Sequence, residues 1–229
     1  MPVDIHQFVS PSSDPSSKER EAAPNSFMKI VAIVFTYVFH PLLLPTYSFA
    51  LVIYTNPFLF AQYDNLTWIP ILKVFLNTFM FPVLSLLLMN RLGFLPSFEM
   101  KNAQERIIPF ISTLVFYIWT FMVFRKSGDP TILSMVMLGA CLSTSVAFII
   151  NLFRKISLHS TGMGVFIGIA FGNAFMSAQD VLWALILIVF IAGITGTSRL
   201  ILKAHEPREV YLGYFVGFMM QMIAFRFMA

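Results

Sequence analysis

Seven apolar blocks, each close to the length of a bilayer-crossing helix, follow one another along this chain and leave few folds open to it. They run over residues 27–55, 68–89, 107–124, 131–151, 160–178, 181–199 and 209–228. Crossing the hydrocarbon core takes roughly 20 mostly apolar residues. The succession predicts an all-α integral membrane protein, a polytopic helical bundle of six to seven transmembrane helices. Composition agrees: 58% of the residues are hydrophobic and 11% charged, against about 25% charged in an ordinary soluble domain.

The count turns on the first block, which carries His40-Pro41-Leu42-Leu43-Leu44-Pro45 near its middle. Each proline removes a backbone donor, so a kinked or broken helix is expected there. His40 reads as a packing residue at that kink. Residues 1–26, rich in serine and proline and then in charge, cannot bury enough apolar surface to fold and read as a disordered polar tail. Residues 27–229 read as one transmembrane helical domain. The single cysteine, Cys141, sits inside an apolar block; it excludes an internal disulfide and a thiolate metal cluster. A net charge of +4 without a basic tract leaves no footprint for nucleic acid.

The charged residues concentrate in three groups, while the loops between hold only Asp64, then Arg125, Lys126 and Asp129, then Asp180. The first group holds Arg91, Glu99, Lys101, Glu105 and Arg106; the second Arg154, Lys155 and His159; the third runs from Ser198 to Val210. Two blocks separate the first group from the second, and two separate the second from the third. An even number of crossings returns the chain to the same side, so all three polar loops are expected to face one aqueous compartment and to converge there.

The third group is the densest. It holds Ser198, Arg199, Lys203, His205, Glu206, Arg208 and Glu209 between two apolar blocks, and charge kept at a membrane boundary is a functional hypothesis by default. Arg199 can present a planar fork to a phosphate oxygen. His205 and Glu209, four residues apart, share a face if the backbone is helical. The carboxylate would then hold one imidazole nitrogen and leave the other free to attack. In the second group Ser157 is a fair N-cap, and His159 would project from the first turn of a helix whose free N–H groups attract anions, a sensible place for a general acid. Gly162, Gly164 and Gly168 suit close helix packing. The first group adds the cations Lys101 and Arg106. Taken singly, each loop is equally readable as a juxtamembrane turn with snorkelling cations. Together they make a phosphoryl-transfer constellation in which electrostatic stabilisation is the main catalytic effect.

With Ser198, Arg199, His205, Pro207, Val210 and Gly213 in register, the third group resembles the third motif of the type 2 phosphatidic acid phosphatase superfamily, the membrane lipid phosphatases related to vanadium haloperoxidases. Glu209 stands where that family usually has aspartate. In the second motif Ser157 and His159 match, while Ile156 and Leu158 replace the family's proline and glycine. In the first, only four residues separate Lys101 from Arg106 where the family has six, and Pro109 lies three beyond the arginine. The resemblance spans about residues 90–217.

It implies that His205 forms a phosphohistidine, that Glu209 orients it, and that His159 protonates the leaving group. It further implies that Arg199, Arg106 and Lys101 hold the phosphate with help from Ser157 and Ser198, and that neither metal nor cofactor is needed. The implied substrate is a lipid or polyprenyl phosphate entering from the bilayer: phosphatidic acid, phosphatidylglycerol phosphate or undecaprenyl diphosphate. The implied setting is the cytoplasmic membrane. Basic residues outside the site lean towards the motif side, which the positive-inside rule turns to the cytoplasm, whereas the family more often has its site outside. A non-catalytic membrane protein that binds or transports lipid phosphates through a degenerate site is the alternative. A serine hydrolase using Ser198 would leave Arg199 and Glu209 without a role.

Overall fold

The computed structural model describes residues 25–94, 107–177 and 181–228, and within them every regular element is a helix. The elements are α1 (Ser26–Val38), α2 (Leu44–Thr55), a 3-10 segment (Ala61–Leu66), α3 (Trp68–Phe75), a π-helical turn (Leu76–Met80) and α4 (Phe81–Arg91). There follow α5 (Ile107–Lys126), α6 (Thr131–Phe153), α7 (Leu158–Met176), α8 (Leu182–Ile201) and α9 (Pro207–Met228). Helix α3, the π turn and α4 form one continuous rod, Trp68–Arg91. The polar tail expected over residues 1–26 lies almost wholly outside the described residues.

Among the described residues, five helices are long and apolar enough to cross a membrane: Trp68–Arg91, α5, α6, α8 and α9. The protein is therefore a multi-pass helical membrane protein, but with five such spans where six to seven were expected. Two blocks account for the difference. The first splits at His40-Pro41 into α1 and α2, of 13 and 12 residues, each only about 18–20 Å long at 1.5 Å per residue. The block over 160–178 forms α7, a 19-residue helix whose apolar content is diluted by glycine, serine, threonine and asparagine. Ten of its residues are buried, because it runs through the middle of the bundle, where close packing counts for more than lipid solubility.

The first block forms a V-shaped hairpin whose turn points at the candidate site. Thr36, near the end of α1, meets Arg199, near the end of α8, and the start of α1 lies along the middle of α8, so α1 runs parallel to α8. Leu44 packs at Gly162 and Asn56 bonds Asn173, so α2 runs parallel to α7. The turn between them is anchored by other helices. Tyr117 of α5 donates to the Pro41 carbonyl at 3.3 Å, and the hydroxyl of Thr78, in the π turn, is shared between the carbonyls of Val74 at 2.9 Å and Leu42 at 3.3 Å. Non-helical backbone at membrane depth is tolerated where it is buried in protein and its polar groups are paired in this way. At its other end α2 is clamped by Asn56, whose Nδ2 donates to Asn173 Oδ1 at 2.7 Å, while Asn173 Nδ2 donates to Thr55 Oγ1 at 2.9 Å.

Helices α7 and α9 are parallel and pack closely along a seam of glycines. Gly213 and Gly217 of α9 face the backbone of Ser157, Thr161 and Gly164, while Gly164 and Gly168 of α7 face Tyr214, Phe218 and Gln221. A Cβ on Gly217 would overlap the Thr161 carbonyl oxygen. Small residues four apart allow this approach where no hydrophobic effect drives association between helices. The apolar core proper lies between α2, α5 and α6, around the fully buried Phe49, Val52, Phe124, Leu133 and Met137.

Candidate functional site

Helix α8 ends in a Schellman motif that positions the third polar group. The Ala204 N–H donates to the Arg199 carbonyl at 3.1 Å and the Lys203 N–H to that of Leu200 at 2.9 Å. Lys203 takes the left-handed conformation, φ +50°, where glycine is usual. The chain then reverses into α9, with Pro207 at its first position. This places His205 just before α9 and Glu209 in its first turn. His205 Nδ1 donates to Glu209 Oε2 at 2.6 Å, and the same oxygen accepts the Glu206 N–H at 3.3 Å. With Nδ1 engaged, Nε2 is the available nitrogen of His205. Burial pushes this imidazole below its usual value; the bond to Glu209 opposes the shift, Arg199 adds to it, and Lys155 adds a little more.

The second polar group is tied to the third. Lys155 Nζ donates to the Ala204 carbonyl at 2.8 Å, and the Ser157 N–H to that of Glu209 at 3.3 Å. Ser157 caps α7, its hydroxyl oxygen accepting from the Ser160 N–H and hydroxyl. One residue into α7, His159 donates from Nε2 to the Thr36 carbonyl at 3.2 Å, a neutral acceptor that leaves Nδ1 open. Arg199 Nη1 donates to Thr36 Oγ1 at 3.3 Å, and its buried Nε has no hydrogen-bond partner among the described residues.

These groups surround the mouth of a cavity of about 660 Å³. His40, Lys155, His159, Arg199 and His205 line its polar end. Its walls then turn apolar, with Leu44 and Pro45 of α2, Tyr117 of α5, Val136 and Ala140 of α6, and Val165 and Ile169 of α7. From Asn151 to Val136 it follows α6 for about 22 Å, at 1.5 Å per residue, which is most of a bilayer's hydrocarbon thickness.

Of the residues expected at the site, His159, Arg199 and His205 share this cavity, with Glu209 behind His205. The hydroxyls of Ser157 and Ser198 are engaged locally instead. Ser157 serves the helix cap, and Ser198 donates to the Ile194 carbonyl at 2.8 Å and lines a separate groove beside α1. Lys101 and Arg106 lie outside the described residues. Two further residues come to the site: His40, read from the sequence as a packing residue, and Thr36, which the sequence did not single out. His40 is a wall of the cavity, its ring 5.5 Å from that of His159 and nearly perpendicular to it, and Thr36 offers both its carbonyl and its hydroxyl. The only signal for them was a histidine beside a proline inside an apolar block.

No protein-family model matches this chain, and neither does any curated protein or solved structure.

Proposed function

We propose that this protein is a phosphatase of lipid or polyprenyl phosphates, or diphosphates, working through a phosphohistidine, and that it belongs with the type 2 phosphatidic acid phosphatases it resembles. The observation that carries this reading is the His205–Glu209 pair beside Arg199 and His159 at the polar mouth of a long apolar cavity. The cations suit a phosphate, and the cavity suits a hydrocarbon chain. Its helical spans favour the cytoplasmic membrane, since outer-membrane proteins span as barrels.

In the proposed cycle Arg199 binds the phosphate, and Arg106 and Lys101 join it by the resemblance. His205 Nε2 attacks phosphorus, the bond to the lipid oxygen breaks, and that oxygen takes a proton from Nδ1 of protonated His159. Glu209 stabilises the cationic phosphohistidine. His159, now neutral, takes a proton from a water whose oxygen attacks phosphorus. Phosphate leaves and His205 is restored. The steps call on side chains alone, and the preorganised cations stabilise the charge that develops at each transfer.

The test is release of phosphate from short-chain phosphatidic acid and from a prenyl diphosphate by the purified protein and by His205→Ala. The expected result is turnover by the wild type and a loss of about a thousandfold or more in the variant. Equal background release from both proteins, with lipid phosphate still bound, would instead support a non-catalytic binder or transporter.

A further inference from the structure

We infer that His40, delivered by the turn of the α1–α2 hairpin, is a further ligand of the substrate phosphate and contacts the oxygen on the side of the lipid chain. The inference rests on the anion-site reading proposed above.

Its tautomer follows from the geometry. His40 Nδ1 accepts the Leu42 N–H at 3.3 Å, so Nδ1 carries no proton and Nε2 does. The imidazole is thus a neutral donor with its hydrogen on the nitrogen away from the turn. The turn itself is stiff. Pro41 fixes φ, the Leu43 N–H closes onto the His40 carbonyl at 2.8 Å, and Tyr117 and Thr78 hold the next two carbonyls. A donor on such a support is preorganised, the condition under which one hydrogen bond contributes most to binding an anion.

Its place in the cavity gives its partner. His40, His159 and His205 line the same end of the cavity, and the ring of His159 packs on that of His40. His40 is followed along the wall by Pro41, Leu42, Leu44 and Pro45, where the polar mouth becomes the apolar channel. A phosphate between Arg199 and His159, attacked from the His205 side, turns its opposite oxygen, the one that carries the lipid, towards His40. Because it is neutral and pinned at Nδ1, His40 donates a hydrogen bond there without transferring its proton. No carboxylate lines the cavity wall among the described residues, so an anion in the cavity meets His40 without a competing negative charge.

Two variants separate this role from packing. His40→Phe keeps a ring against His159 and removes the donor; His40→Gln loses the ring and offers an amide N–H near the former Nε2. Inorganic phosphate and orthovanadate binding to the full-length protein in detergent, read by calorimetry, should weaken at least about tenfold in His40→Phe and stay within about threefold of wild type in His40→Gln. Wild-type affinity in His40→Phe overturns the inference and leaves the anion site standing. Absence of binding by the wild-type protein overturns both. Binding with the predicted variant pattern but no hydrolysis of lipid phosphates removes the phosphatase reading and keeps His40 as an anion ligand.

Discussion

Glu209 acts on His205 in two ways, and they can be told apart by pH. It holds Nδ1, which orients the ring, and its charge favours the imidazolium, which opposes the effect of burial. The net shift of His205 is downward, so the neutral, nucleophilic form persists below the ordinary value of about 6.5. The acid limb of kcat/KM is accordingly expected below that value. In Glu209→Gln the opposing carboxylate is gone, so the limb moves lower still, while turnover drops by roughly a hundredfold or more as the ring loses its orienting partner and the phosphohistidine its counter-charge. An unchanged or raised limb in a pH–rate series would refute the pairing. This pair was legible in the sequence because both residues lie one helical turn apart. Ser198, expected beside Arg199 on the phosphate, instead donates to the Ile194 carbonyl and lines the groove beside α1, an orientation that adjacency along the chain does not decide. Nor was His40 legible: its meeting with His159 joins residues more than a hundred positions apart, and periodicity carries no such information.

Among the elements, the parallel contact of α7 with α9 bears most directly on the site. Helix α7 carries Ser157 and His159 at its start, and α9 carries Glu209. Their seam is therefore what sets the general acid against the nucleophile's partner. At Gly217 a methyl group would meet the rigid Thr161 carbonyl, with the Val165 N–H 2.8 Å away, so the helices must separate. Gly217→Ala is expected to lower stability by about 1–3 kcal/mol, as overpacking does, seen as a fall in detergent-solubilised Tm, and to reduce kcat as the two loops part. Gly193→Ala, where a Cβ meets nothing, is the control and should change neither. The glycines pointed to close packing, but which helices they joined depended on the order of the bundle. The prolines of the first block were likewise visible, yet a kinked span and a re-entrant hairpin place prolines alike. The contacts of α1 with α8 and of α2 with α7, and those of the turn with Tyr117 and Thr78, distinguish them.

Across the whole molecule, the hairpin changes which ends share a face. A single crossing by the first block would put Asn25 and the α8–α9 turn on one side. The hairpin instead starts and ends away from that turn, on the side of the α5–α6 connection. Exposed Trp68 and Trp183, at the starts of α3 and α8, and Trp119, towards the end of α5, mark that same side, as an aromatic belt does. Cysteines introduced at Asn25 and Lys126 are expected to react with an impermeant maleimide from one face of the membrane and one at Arg208 from the other. The native Cys141 is buried and contributes no background. Joint labelling of Asn25→Cys with Arg208→Cys would restore the single-crossing reading. The convergence of the second and third polar loops was legible from counting crossings, because α7 still runs from one side to the other despite its composition.

The same hairpin sets a timetable for synthesis. Thr36 meets its partners 123 residues later at His159 and 163 residues later at Arg199. At about 5–20 residues per second, roughly ten to thirty seconds separate the emergence of α1 from that of the helix it packs against. Through that interval the turn lacks α8, and for about its first half it lacks α5 as well, so its broken backbone has to wait at the membrane surface or under the care of the insertion machinery. A chain cut short before α8 would have His40 and His159 without Arg199 or His205. The site therefore closes only when the last quarter of the protein arrives to complete what the first fifth began.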